Sequence, residues 1–182
     1  MDGDNRTDEQ LMSIYRDGDT QAFELLYQRH RVSLYNYLMR QCSDKAIADE
    51  LFQDSWTSLI RARQTYTESA KFSTYLFRIA HNKLIDYYRR KSKAAIDSYE
   101  DDIQDISSHS PEDTVSAQQQ HNKFIQLLEQ LPEAQREVFL LKEETGLGLE
   151  DIARITQSNV EAVKSRLRYA IKRLKTGMED LS

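Results

Sequence analysis

Cysteine, proline and glycine are all scarce in this chain, with one Cys, two Pro and five Gly in 182 residues. The lone thiol, Cys42, allows no internal disulfide and no cysteine-built zinc site. So few turn formers argue against a loop-rich β fold and for helices. Long apolar runs are missing as well. Mean hydropathy is −0.73, and no stretch approaches the ~20 apolar residues that a bilayer crossing requires. The N-terminus, MDGDNRTDEQ, is acidic and polar, unlike a secretory signal or transit peptide. A cytoplasmic protein without membrane insertion is expected. No Gly-rich phosphate loop occurs, and His81 and Asp86 would not pair squarely on a helix. No catalytic constellation, metal site or cofactor is therefore expected.

The net charge is −5, which on its face opposes a nucleic-acid partner. The charges are, however, segregated. Between Lys93 and Lys123 there is no Lys or Arg, while Asp97, Glu100, Asp101, Asp102, Asp105, Glu112 and Asp113 fall in that interval. The cations gather in Arg78 to Lys93 and in Lys164 to Lys175. Fields screened over roughly 8–10 Å make these local concentrations matter more to a phosphate backbone than the total does.

Hydrophobic spacing predicts an all-α chain of two small helical domains, residues 1–94 and 117–182, joined by a flexible acidic linker over 95–116. In the first domain Thr7 and Gln10 fit a capping box ahead of Leu11, Ile14 and Tyr15. Gly18 and Asp19 break that helix. A long helix follows, with Phe23, Leu26, Tyr27, His30, Leu34, Tyr37 and Leu38 on one face; His30 reads as a packed histidine, not a ligand. Ser43 or Asp44 can cap the next helix, whose stripe is Ile47, Leu51, Phe52, Ser55, Trp56 and Leu59. Its other side shows Asp49, Glu50, Gln53 and Asp54, an acidic face that can equally be merely solvated. After a polar loop, a helix from Phe72 to about Lys93 leaves Arg78, Asn82, Arg89, Arg90, Lys91 and Lys93 outside, interleaved with Tyr75 and Tyr88. Cations beside exposed rings suit single-stranded nucleic acid; the same tyrosines could simply complete the core.

In the second domain Phe124, Leu127, Leu128 and Leu131 form a stripe ending at Pro132, which suits the first position of the next helix. Gly146 is placed to end that helix in a left-handed cap. LEDIARIT, Leu149 to Thr156, and VEAVKSRLRYAIKRLK, Val160 to Lys175, then lie only three residues apart. Val160, Val163, Leu167, Ala170, Ile171 and Leu174 make an apolar stripe on the second helix, and its remaining surface is strongly basic. That is the pattern of a helix-turn-helix with a recognition helix, although a helical hairpin with a solvated basic face would read alike.

Taken in order, these segments resemble bacterial RNA polymerase sigma factors of the extracytoplasmic-function group, over nearly everything from Asp19 to Lys175. ADELFQDSW (Ala48 to Trp56) is similar to that family's polymerase-binding helix. FSTYLFRIAHNKLIDYYRRK (Phe72 to Lys91) is similar to its promoter-melting helix. LPEAQREVFLL, GLGLEDIA and VEAVKSRLRYAIKRL follow in the family's order. The resemblance implies core RNA polymerase, its β′ and β subunits, as a partner, with Asp49, Glu50, Leu51, Gln53 and Asp54 meeting β′ and Phe52 a further apolar candidate. It implies minus-ten DNA contacts from Tyr66, Lys71, Phe72, Tyr75, Arg78, Asn82, Arg89, Arg90 and Lys91. Lys93 would join them on backbone phosphates, and Asp86 would orient an arginine. It implies minus-thirty-five DNA contacts from Asn159, Glu161, Lys164, Ser165, Arg166, Arg168, Tyr169 and Lys172, with Arg173 on phosphate, and an anti-sigma factor as a further partner. Three departures stand out. Gln157 and Ser158 occupy a turn where Gly is common, so a differently shaped turn is expected; Gly148 replaces a Ser or Thr cap; and Tyr75 replaces a frequent Trp. Two other readings fit the same pattern: a stand-alone helix-turn-helix regulator with an N-terminal dimerisation or sensor domain, and a helical adaptor that binds only proteins.

Overall fold

The computed structural model describes residues 5–97 and 115–179. Among these lie eight α-helices and no strand: α1 (Asp8–Arg16), α2 (Thr20–Cys42), α3 (Lys45–Ala62), α4 (Phe72–Asp97), α5 (Val115–Glu129), α6 (Glu133–Thr145), α7 (Leu149–Thr156) and α8 (Val160–Glu179). The expected all-α class holds.

Local chemistry accounts for most of the helix ends. The Thr7 side chain accepts from the Gln10 N–H at 3.2 Å while the Gln10 side chain accepts from the Thr7 N–H at 2.9 Å, closing the capping box. Gly18, at φ 113°, takes a backbone conformation that side-chain-bearing residues rarely adopt, and Asp19 then caps α2 through the Gln21 N–H. Of the two candidates for capping α3, Asp44 does so, through the N–H groups of Ala46 and Ile47. Ser43 instead ends α2 with a left-handed φ of 54°. Pro132 precedes α6 as its N-cap, one position earlier than expected, and Gly146 closes that helix at φ 66°.

The turn between α7 and α8 keeps the left-handed geometry that Gly usually supplies. Gln157 adopts φ 51° and ψ 41°, and the Ser158 N–H reaches back to the Ala153 carbonyl at 3.0 Å. A differently shaped turn was expected; the hydrogen-bonded ending of α7 holds Gln157 there against an intrinsic cost of roughly 1–2 kcal/mol. Gly148 begins α7 with no side-chain cap.

Leu26, Leu34, Leu51, Leu59, Leu76 and Phe77 fill the core of the first half. An aromatic cluster joins α2 to α3, in which Trp56 meets Phe23 edge-on at 5.8 Å and Tyr27 at 5.1 Å. Leu128, Val138, Leu140, Ile152, Ile155 and Val163 fill the second. Two expectations on α8 are corrected. Val160 and Ile171 are 37% and 49% exposed, because the packed seam runs through Val163, Ala170 and Leu174 against α5, α6 and α7. The helices also extend further than expected: α4 continues past Lys93 to Asp97, and α5 begins at Val115. The rest of the acidic linker, 98–114, lies outside the described residues. The two halves pack directly on each other, α2 against α6 and α4 against α7.

Candidate nucleic-acid and protein interfaces

On α3, Glu50 and Gln53 are exposed and Asp49 and Asp54 half-buried. Asp49 is tied down: Lys45 Nζ lies 2.7 Å from one carboxylate oxygen and the Tyr35 hydroxyl donates to the other at 3.0 Å. Those two donors hold its carboxyl below the usual carboxylate range. Leu51 is 2% exposed, so it anchors α3 in the core and presents no apolar contact at the surface. Phe52 remains partly accessible, against Tyr27 and Tyr35.

On α4, Arg78, Asn82, Arg89, Arg90, Lys91 and Lys93 are all exposed. Asp86 lies 3.7 Å from Arg89 across one helical turn, in keeping with a carboxylate that steers an arginine. Tyr88 is drawn inward, its hydroxyl donating to the Gln41 carbonyl at 2.7 Å. Beside the N-terminal end of α4 is a pocket of about 380 Å³, walled by Tyr66, Thr67, Ser69, Thr74, Tyr75 and Arg78 and bordered by Arg154 from α7. Tyr66 and Tyr75 meet edge-on at 5.1 Å, and burial pushes the Tyr66 hydroxyl up to about 12. That hydroxyl and Thr74 Oγ1 are buried without a hydrogen-bond partner. Phe72 is fully buried, its ring tilted against His30 at 5.1 Å, and it does not line the pocket. Its own N–H is held by Glu9 at 2.7 Å. Lys71 is engaged with Asp151 of α7 at 3.1 Å.

On α8, Asn159 caps the helix by accepting from the Ala162 N–H at 2.8 Å. Glu161, Lys164, Arg168, Tyr169, Lys172 and Arg173 are exposed, and Ser165 and Arg166 half-buried. The Arg168 guanidinium lies over the Tyr169 ring at 5.2 Å.

Sequence reasoning missed the residues that join the halves. Glu137, on α6, is 8% exposed. One of its oxygens accepts from the Tyr37 hydroxyl at 2.9 Å and meets His81 Nδ1 at 2.5 Å. Burial, reinforced by the neighbouring carboxylate, pushes the Tyr37 hydroxyl well above its ordinary range and keeps it a donor. Around this point Arg40 pairs with Glu144 at 3.0 Å and Arg136 donates to the Gln41 side chain at 3.2 Å. The Gln157 amide donates to Asn82 at 3.3 Å. A signal was present: Glu137 and His81 each occupy a register position that apolar neighbours such as Leu141 and Phe77 mark as inward-facing. Burial pushes the Cys42 thiol up to about 11. No group of His, Cys, Asp and Glu among the described residues could hold a metal ion, and no described helix is long and apolar enough to cross a membrane.

A family described as Sigma-70 region 2 matches residues 26–94 and one described as Sigma-70, region 4 matches residues 121–174. The chain is 27% identical over 170 residues to the RNA polymerase sigma factor CarQ of Myxococcus xanthus, covering 93% of this chain and 97% of that one. It is 28% identical over 184 residues to the ECF RNA polymerase sigma-E factor of Haemophilus influenzae, covering 96% and 97%. In fold it is similar to CnrH in complex with the cytosolic domain of CnrY, with a TM-score of 0.71 at 23% identity, covering 96% of this chain and 99% of that one. It is likewise similar to the sigma factor RpoE in complex with the anti-sigma factor NepR from Bartonella quintana, with a TM-score of 0.75 at 22% identity, covering 87% and 98%.

Proposed function

Because the chain belongs to the extracytoplasmic-function group of the sigma-70 family, we propose that three separate faces of it do the work of initiation. It is a sigma factor that binds core RNA polymerase, directs it to promoters and helps to open them. On our reading the first face is the acidic side of α3: Asp49, Glu50, Gln53 and Asp54 meet a basic helical hairpin on the β′ subunit.

The second face is the basic side of α4. Opening a duplex costs about 1.4 kcal/mol per base-pair step in lost stacking. Without ATP, only tighter binding of the separated strand can offset that cost. Arg78, Arg89, Arg90, Lys91 and Lys93 hold phosphates of the non-template strand, and the pocket walled by Tyr66, Thr74 and Tyr75 receives an extruded minus-ten base. The third face is α8, where Lys164, Ser165 and Arg168 read minus-thirty-five base edges while Tyr169, Lys172 and Arg173 position on phosphates. Residues 1–94 and 117–182 act as the two promoter-gripping domains. The chain is not an enzyme in its own right, works in the cytoplasm and is held in check by an anti-sigma partner, as the complexes of similar fold suggest.

One observation carries the reading: exposed cations concentrate on α4 and α8, the helices that end the two matched regions. A stand-alone regulator has no use for the first region and is not favoured. The test is run-off transcription with purified core polymerase on a library of genomic promoters. Arg89→Ala combined with Arg90→Ala is expected to abolish initiation while leaving core binding intact. Unimpaired initiation by that variant would remove α4 from the melting step.

A further inference from the structure

α1 stands ahead of residue 26, where the match to Sigma-70 region 2 begins, and none of the three faces assigned to initiation includes it. Leu11, Met12 and Tyr15 seat it in the core. Its half-buried rim carries Glu9 and Arg16, about two turns apart and so on one side of the helix. These two side chains reach the two ends of the loop that runs from Tyr66 to Phe72. Glu9 Oε1 accepts from the Phe72 N–H at 2.7 Å, and Arg16 Nη1 donates to the Tyr66 carbonyl at 3.5 Å. Gln64 donates back to the Arg16 carbonyl at 3.1 Å, and the Arg63 guanidinium lies over the Tyr15 ring at 5.5 Å. Ser13 and Asp17 hold other nitrogens of Arg16.

The loop has little else to set its path. Thr67, Glu68, Ser69 and Lys71 are exposed, so burial does not fix them. Nor can α4 cap itself from the preceding residue, because the Lys71 side chain has donors only. Its first N–H would lack a partner; the acceptor arrives instead from 63 positions away, and its charge suits the positive end of the helix. Thr74, Tyr75 and Arg78, the α4 wall of the pocket, follow directly on that cap, while Tyr66, Thr67 and Ser69, the loop wall, follow the Arg16 contact. We infer that α1 is a positioning element of the pocket: Glu9 fixes the α4 wall and Arg16 the loop wall, so that their spacing is set before a base enters. The inference rests on the minus-ten reading of the pocket. Neither side chain has to touch DNA. They set where Tyr66 and Tyr75 stand, and where the buried hydroxyls of Tyr66 and Thr74 are left for a base edge. Preorganisation of this kind acts on the step in which the base is captured, not on core binding. Every contact in the set lies within the first half, so it is independent of where the second half sits.

The test uses holoenzyme assembled from core polymerase and the full chain, on a promoter recovered by run-off transcription. Abasic nucleotides placed singly along the non-template minus-ten strand first locate the base that the parent needs for opening. Glu9→Ala is expected to slow open-complex formation on the intact promoter by on the order of 10-fold. When that base is absent the same variant should slow it by less than about 2-fold, because the two changes remove one interaction. Glu9→Gln keeps an acceptor for the Phe72 N–H and should recover most of the rate. Core affinity and helical content stay at the parent's level. Equal slowing on intact and abasic promoters, or no slowing on either, overturns the positioning role; so does a Glu9→Gln chain as slow as Glu9→Ala. Should Glu9→Ala lose its helices, Arg16→Ala decides by the same comparison of intact with abasic promoter. The minus-ten reading fails separately. A parent that initiates from no promoter, or opens one indifferently to every abasic position, has no base pocket, and α1 then positions nothing.

Discussion

Asp8 shows how one carboxylate ties the start of the chain to its body. It accepts from Arg29 Nη1 at 2.8 Å and meets His30 Nε2 at 2.6 Å, and His30 in turn packs on Phe72, the first residue of α4. The hydrogen bond from His30, more than that from Arg29, holds the Asp8 carboxyl below its ordinary value of 3.8. A carboxyl whose folded value is depressed contributes stability that is full above the unfolded value and is lost as pH falls through the folded one. The parent chain should therefore exceed Asp8→Asn in urea resistance at neutral pH by a margin that holds down to about 3.8 and shrinks below it. Denaturation midpoints of the two chains across the acid range would check this, and a margin independent of pH would mean that the ionised carboxylate is not what stabilises the fold.

Among the elements, α8 is where stability and recognition are most easily confused. Asn159 is exposed and was singled out as a DNA contact, yet its side chain already serves the Ala162 N–H. Asn159→Ala should cost about 1 kcal/mol of stability through the lost cap alone. Asn159→Asp keeps the cap and adds a negative charge that a nearby phosphate would repel. If Asn159 touches DNA, the Asp variant melts like the parent and binds promoter duplex more weakly; equal affinity would restrict the residue to capping. Element ends of this kind were legible in the residues because capping chemistry is local, as the box at Thr7 and Gln10 and the glycine end at Gly146 show. Exposure was harder to read. The resemblance implied contacts from Leu51 and Phe72, but whether either reaches the surface is decided by what packs on it from other helices, and both are covered. The junction at Glu137 was harder still, because it joins residues 100 and 56 positions apart that have no local reason to meet.

Across the whole molecule, a net charge of −5 has to be reconciled with a polyanionic target. The reconciliation is spatial. Acid is spent on the α3 face, on the 95–116 stretch and at the contacts between halves, where Glu137, Glu144 and Asp151 are engaged. Cation is left uncovered at Arg89, Arg90 and Lys91 on α4 and at Lys164, Arg168 and Lys172 on α8. On the reading proposed above, such a layout binds DNA weakly until polymerase fixes both basic faces along one promoter, after which each phosphate neutralised releases counterions. The salt dependence of the open complex then counts those contacts. Single-stranded contacts contribute about 0.7 each to the slope of log affinity against log salt. For polymerase carrying this sigma factor, Arg89→Ala with Arg90→Ala should flatten that slope by about 1.4 on a promoter with a pre-melted minus-ten region. If α8 meets duplex as proposed, replacing Lys172 with Ala should flatten it by about 0.9. Filter-binding or anisotropy titrations across salt concentrations give both slopes. If the arginine pair alters affinity by the same factor at every salt concentration, α4 orders the strand by stacking and shape, and its uncovered charge is there for something other than phosphate.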